Sequence, residues 1–250
     1  HYIDIDHYGD HPFDSMPKRW GDAVKKYSED SLMAYGIVPW HISNVTRWLA
    51  EAFRNKDLDK ILYHSADLGH YVADAHVPLH VTENYNGQMT NQIGIHGFWE
   101  SRLPELFSVD YNFFVGKAMY LENPLNTAWD IILKSYMAKD SVLLFEAKLN
   151  ANYSPDRKYS FESSGAQTKK VYSKEYAKEY HDLLNGMVER RMRAAIIMVG
   201  SFWYTAWVNA GKPDLKDLQD KEMSKELKKQ LKEEENMWKT GKILDLEHND

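Results

Sequence analysis

The chain has 250 residues, 43% of them hydrophobic, with 8 Trp and 16 Tyr, which is enough apolar material for a sizeable core. Its formal net charge of −6 argues against a broad electrostatic grip on duplex nucleic acid, although bound cations can supply positive charge locally. There is no cysteine, so disulfides and thiolate metal sites are excluded, and any transition metal must be held by His, Asp, Glu or backbone atoms.

Ser15 and Pro17 predict a helix that runs to about Tyr35 and closes on Gly36. Pro39 marks the first turn of a second helix reaching about Arg54. Asp57 caps a third, from Leu58 to about Ala75, with Leu58, Ile61, Leu62, Leu68 and Val72 along its apolar side, and Pro78 stops it. Thr82 to Gly94 is polar and rich in Asn and Gly, which reads as an ordered surface loop. A helix is expected from near His96 to about Phe107. Another, capped by Thr127, should run from Ala128 to about Asn150, and a loop through Pro155 and Gly165 follows. A long amphipathic helical segment from Ser173 to about Ala210 ends at Gly211 and Pro213. Within it, Ala194 to Val208 is the longest apolar candidate. Gly200 and Ser201 interrupt it and it falls short of the roughly 20 residues of a membrane span, so it reads as a buried helix. Alternating strand patterns are almost absent, so the expected class is all-α, a multi-helical single domain over 1–250. Residues 1–211 form its core and 212–250 a charged helical extension, in which Lys221 to Glu235 reads as a solvated helix braced by opposite charges four apart.

The chemistry concentrates between His70 and Glu100. In His70-Tyr-Val-Ala-Asp74 an imidazole and a carboxylate four residues apart share one helical face, about 5–6 Å apart. Pro78 ends the helix and lets His80 turn back toward that point. After sixteen residues, His96-Gly-Phe-Trp-Glu100 repeats the imidazole–carboxylate spacing. Such nitrogen and oxygen donors suit zinc, and two pairs plus His80 can hold more than one ion. A single His-x-x-x-Asp pair is ordinarily a surface pair or a satisfied core histidine; two pairs with a third His between them are harder to explain that way. His64 is expected on the helix surface. His76 is either a core residue or one that orients a ligand. His7, His11, His41, His181 and His248 belong to no pattern.

His70-Tyr-Val-Ala-Asp74, Pro78-Leu-His80 and His96-x-x-x-Glu100 together resemble the metal-binding core of the bacterial zinc-dependent phospholipases C, a superfamily that includes the single-strand-specific zinc nucleases. The opening His1-Tyr-Ile-Asp4 resembles the family's preceding motif. The resemblance implies a helical fold holding up to three Zn2+. One zinc takes His1, His70 and Asp74 with an upstream aspartate, and a second takes His80, His96 and Glu100. A third shares Asp74 as a bridging ligand with an N-terminal tryptophan and a nearby histidine. The tryptophan, that histidine and the upstream aspartate have no counterpart here, so only the second site is fully liganded. Two readings of the chain start stand open: a piece lacking the family's N-terminal segment, which is the expected one, or a natural N-terminus at which His1 chelates with its amino group and ring.

The implied activity is hydrolysis of a phosphodiester by a zinc-bound hydroxide, with neighbouring ions neutralising charge on phosphorus and on the leaving alkoxide. Asp4 and Asp6 are candidates for a base or a substrate contact, against the ordinary role of solvated or capping aspartates. Glu100, the short loop between His80 and His96 and the lack of cysteine look more like the phospholipase branch than the nuclease branch. Tyr2, Tyr85 and Trp99 are candidate substrate contacts, since aromatics serve either a choline head group or a stacked base. The expected substrate is therefore a phospholipid head group or other phosphodiester, with single-stranded nucleic acid as the alternative and a catalytically inactive metal-binding helical protein as a second. No protein partner is expected, and a secreted or periplasmic location is implied by the resemblance alone.

Overall fold

A computed structural model describes residues 1–164 and 167–239. The end of the charged extension, 240–250, and with it His248, lies outside the described residues. The chain is mostly helical, as its patterning predicts. In order, the helices are α1 (Pro12–Ser15), α2 (Trp20–Tyr27), α3 (Glu29–Ala34), α4 (Val38–Asn55), α5 (Leu58–Ala75), α6 (Ile95–Gly97), α7 (Leu103–Phe107), α8 (Pro124–Asn152), α9 (Pro155–Lys158), α10 (Lys174–Leu183), α11 (Met187–Asn209) and α12 (Lys225–Lys239). A π-helical turn, Phe98–Arg102, joins α6 to α7 in one continuous helical run.

Several boundaries follow their caps. Asp57 accepts from the Lys60 N–H at 3.2 Å and starts α5, which ends at Ala75 as expected. Elsewhere local backbone chemistry overrides the apolar pattern. The helix expected from Ser15 to Tyr35 starts only at Trp20 and is broken into two, because Ser28 sits at φ 68° and caps α3 through Ser31. The segment expected to run from Ser173 to Ala210 is two helices, separated by the left-handed Asn185 and Gly186. Asn123 rather than Thr127 caps α8, accepting from the Asn126 N–H at 3.0 Å. The expected loop after Pro155 contains α9 and an antiparallel hairpin, β1 (Tyr159–Ser164) and β2 (Gln167–Tyr172), with Tyr159 paired to Tyr172. Its strands are short and polar, and Phe161 is 73% exposed, so no apolar face announces them.

The core has two parts. In the first, α4 packs against α5, α8 and α11, burying Val45, Leu49, Leu68, Val72, Ile132 and Phe202. The second gathers Leu79, Phe98, Trp99 and Leu103 with Val142 of α8 and Tyr176 and Tyr180 of α10. Leu62, expected on the apolar side of α5, is exposed. The buried-helix reading of Ala194–Val208 is also too strong: Ser201, Phe202, Thr205 and Ala206 are buried, but Ile196 and Trp203 are exposed. Among the described residues, no helix is long and apolar enough to cross a membrane. The extension forms α12, braced by Lys229–Glu233 at 3.6 Å and seated by the buried Leu227.

The first residues run beside the 3₁₀ turn Pro78–Val81, where Ile3 N–H donates to the His80 carbonyl at 3.0 Å. They also run beside α3, where Asp4 N–H donates to Tyr35 O at 2.8 Å. Gly36 lets them pass: it has φ 90°, and a Cβ there would fall 2.2 Å from the Tyr2 carbonyl oxygen. Left-handed strain alone costs an L-residue about 1–2 kcal/mol. Gly36→Ala is expected to lower stability by about 2 kcal/mol or more, read as a shift in the urea midpoint at unchanged slope. A midpoint equal to wild type would contradict this account of the packing.

Candidate metal centre

Six side chains meet where the N-terminal segment, the end of α5, the Pro78–Val81 turn and the α6–α7 run converge. They form two groups, His1–His70–Asp74 and His80–His96–Glu100, and within each group the nitrogen and oxygen atoms lie within 4.8 Å of one another. The groups adjoin, with the rings of His1 and His80 5.3 Å apart between centroids. Each residue expected as a ligand is thus in one group or the other.

Local structure accounts for each placement. The i, i+4 spacing on α5 puts His70 Nε2 3.1 Å from Asp74 Oδ2. The Pro78–Val81 turn buries His80, which lies 3.4 Å from Glu100 Oε2 through Nε2. His96 Nε2 lies 2.8 Å from the same oxygen. Glu100 belongs to the π-helical turn, a feature frequent at functional sites. His96 Nδ1 lies 3.2 Å from the Tyr85 carbonyl oxygen, so this nitrogen donates and Nε2 is left to face Glu100.

The loop before His96 is less of a surface feature than its polarity suggests. Asn86 Oδ1 accepts from Gly94 N–H at 2.9 Å and His96 N–H at 3.4 Å. Gln92, 7% exposed, donates to Leu143 O at 2.9 Å and to Glu146 Oε2 at 2.6 Å. Glu146 is itself buried and accepts from Tyr176 Oη at 2.6 Å and Lys158 Nζ at 3.0 Å. A polar network inside the second core thus holds the loop that delivers His96. Glu146 was not among the expected site residues, although a carboxylate in the run Val142-Leu143-Leu144-Phe145-Glu146 is itself a signal.

A cleft of about 220 Å³ opens on His1, His80 and His96 and is bounded by Tyr2, Asp4, Tyr35, Glu83 and Tyr85. Burial first, then the neighbouring Asp6 and Glu83, raise the Asp4 carboxyl to about 7. Asp6 plays a different part: it accepts from Thr82 Oγ1 at 2.5 Å and Glu83 N–H at 3.0 Å, pinning the loop. Burial disfavours the Glu100 carboxylate, but the facing His80 and His96 outweigh it and hold Glu100 far below the usual carboxylate range. Trp99 is not in this cleft; it is 3% exposed and lines a separate cavity with Val77 and Met192.

The remaining histidines have other duties. His76 is a core residue: Nδ1 lies 2.7 Å from Val72 O, its carbonyl accepts from Arg191, and burial pushes the ring down to about 3. His64, expected on the surface, is half-buried beside Trp48. His7 stacks on Tyr35, His41 faces Asp67, and His181 pairs with Tyr111. His11 is exposed.

The donor sets fit a metal. Each group offers two imidazoles and one carboxylate, and tetrahedral coordination at ~2.0–2.1 Å brings ligand atoms to about 3.3 Å of each other. The closest contacts within the groups, 2.8 to 3.4 Å, bracket that spacing.

The raised Asp4 has a measurable consequence for the metal-free protein. Between about pH 4 and 7 the folded chain holds a proton that the unfolded chain has released, so stability falls as pH rises through this window. Asp4→Asn is expected to raise the urea midpoint of chelator-treated protein at pH 8 and leave it unchanged at pH 3.5. Equal midpoints at both pH values would show that Asp4 carries no such penalty. No protein-family model matches this chain, and no curated protein or solved structure does either.

Proposed function

We propose that this protein is a zinc-dependent phosphodiester hydrolase of the phospholipase C kind. The observation that carries the reading is the pair of adjoining His₂–carboxylate groups, each with the donor chemistry and spacing zinc takes. His1, His70 and Asp74 would hold one ion and His80, His96 and Glu100 another. Zinc, when bound, acidifies water toward neutrality and offsets charge on a phosphodiester.

The chain's own residues supply the rest. The His96 tautomer is set by the Tyr85 carbonyl, and Asp74 and Glu100 compensate cationic charge inside the fold. Asp4, with its raised pKa and its place in the cleft, is suited to take a proton near neutrality. Hydrolysis adds one water across a P–O ester bond and yields a phosphate monoester and an alcohol. The cleft favours a cationic head group, because Tyr2, Tyr35 and Tyr85 line it beside the carboxylates Asp4 and Glu83. The same carboxylates oppose the successive phosphates of a polynucleotide.

Metal analysis of the purified protein should find at least two zinc ions per chain. Glu100→Gln should lower that count by about one and reduce kcat/KM for a short-chain phosphatidylcholine by about 10² or more. Single-stranded DNA serves as the competing substrate. Faster turnover of the DNA would assign the nuclease reading, and zinc without turnover of either would assign a metal-binding role. A protein that takes up no zinc would refute the proposal.

A further inference from the structure

The π-helical turn Phe98–Arg102 carries Glu100 at its middle, and both of its ends meet one residue of the β1–β2 hairpin, Tyr172. The Phe98 ring stacks on the Tyr172 ring, with centroids 3.8 Å and planes 12° apart. Arg102 Nε donates to the Tyr172 carbonyl at 3.1 Å. The guanidinium then forks onto Glu162 of β1, from Nη2 to Oε1 at 2.6 Å and from Nη1 to Oε2 at 3.2 Å.

We propose that the hairpin is a positioning clamp for the second ligand group: Tyr172 and Glu162 hold the turn in its π winding, and so hold Glu100 against His80 and His96. The inference rests on the metal-binding part of the reading above and is independent of the ester cleaved.

Three observations carry it. The first is the winding itself. The turn closes with Leu103 N–H donating to Phe98 O, a bond to the fifth residue back where an α-helix bonds to the fourth. π winding is rare, so contacts from outside the turn are what hold it, and here they fall on its first and last residues. Glu100 Oε2 lies 2.8 Å from His96 and 3.4 Å from His80, and rewinding of the turn would move it within that set.

The second observation is burial. Arg102 is 6% exposed, so its charge needs close acceptors. Glu105 supplies one at 3.0 Å, but from the same helical run, and so does not fix that run against the rest of the fold. Glu162 brings its carboxylate from another element, and a forked pair of this kind fixes orientation as well as distance. The third is that the clamp is itself anchored. Ser173, next after β2, donates through N–H to Lys158 O at 2.9 Å and through Oγ to Arg157 O at 2.7 Å. Phe98 also stacks on the buried Tyr176 and Tyr180 of α10, at 5.7 and 5.0 Å between centroids.

The test is zinc binding by the whole chain, measured by competition with a chromophoric chelator. Glu162→Ala and Tyr172→Leu should each weaken one bound ion by about 10- to 100-fold and leave the other unchanged. Tyr172→Phe, which keeps the ring and the carbonyl, should bind as wild type does, and so should Phe161→Ser on the exposed face of the same hairpin. In a Glu100→Gln background, which removes the second ion, Glu162→Ala should have no further effect on the ion that remains. In metal-free protein, hydrogen exchange at the Leu103 amide should quicken by about tenfold in Glu162→Ala. Glu162 is a partly exposed side chain, so this variant carries the test if Tyr172→Leu does not fold. Wild-type affinity for both ions in Glu162→Ala, equal weakening of both, or unchanged exchange at Leu103 would overturn the clamp alone. A wild type that takes up no zinc would overturn the metal reading together with it.

Discussion

Everything at the candidate metal centre hangs on one short turn, Pro78–Val81. It places Leu79 in one half of the core and Val81 in the other, so His80 is buried at the seam between them. The His80 carbonyl also accepts the hydrogen bond that aligns the N-terminal segment and brings His1 beside His70. Both ligand groups are thereby referred to a single buried piece of backbone. Interiors are close-packed and yield little, so a ligand fixed in this way is held more firmly than one on an exposed loop.

Gathering four imidazoles and two carboxylates in partial burial, with Asp4, Asp6 and Glu83 close by, runs against simple electrostatics. Burial disfavours each charge, and like charges repel. The upward displacement of Asp4 is one expression of that conflict; the deeply lowered Glu100, held by two imidazoles, is its counterpart. An arrangement that accumulates negative potential at one point is one that a divalent cation relieves. The network around Glu146 shows the other solution in the same molecule, a buried carboxylate satisfied by Gln92, Tyr176 and Lys158.

The candidate ligands were legible because they obey short-range rules. His70 with Asp74 and His96 with Glu100 are each one helical turn apart, and Pro78 signals the bend that returns His80. What was not legible depends on distant contacts or on single backbone angles. Ser28 and Asn185 adopt left-handed conformations that no apolar periodicity encodes, and they divide helices that otherwise read as continuous. The β1–β2 hairpin has no buried face to reveal it, yet Glu162 on β1 pairs with Arg102 at 2.6 Å and so ties the hairpin to the ligand-bearing helix. The support from Glu146 crosses more than fifty residues of sequence to reach Gln92. Trp99 reads as a companion of Tyr2 and Tyr85 because it adjoins Glu100, but neighbouring positions on a helix point in different directions.

The π-helical turn at Phe98–Arg102 has a bearing on how such a site can change over time. A turn of this kind holds one residue more than an α-helical turn. Everything beyond it, including the buried Leu103, is therefore rotated by about one residue, roughly 100°, relative to an uninterrupted helix. Loss of Phe98 or Trp99 from the turn would restore ordinary winding and shift Glu100 by one position relative to His80 and His96, leaving most of the sequence untouched. Descendants of such a chain could keep the scaffold and both histidines and still lose the second centre in one genetic step. Alignments that permit no gap inside helices would overlook that event.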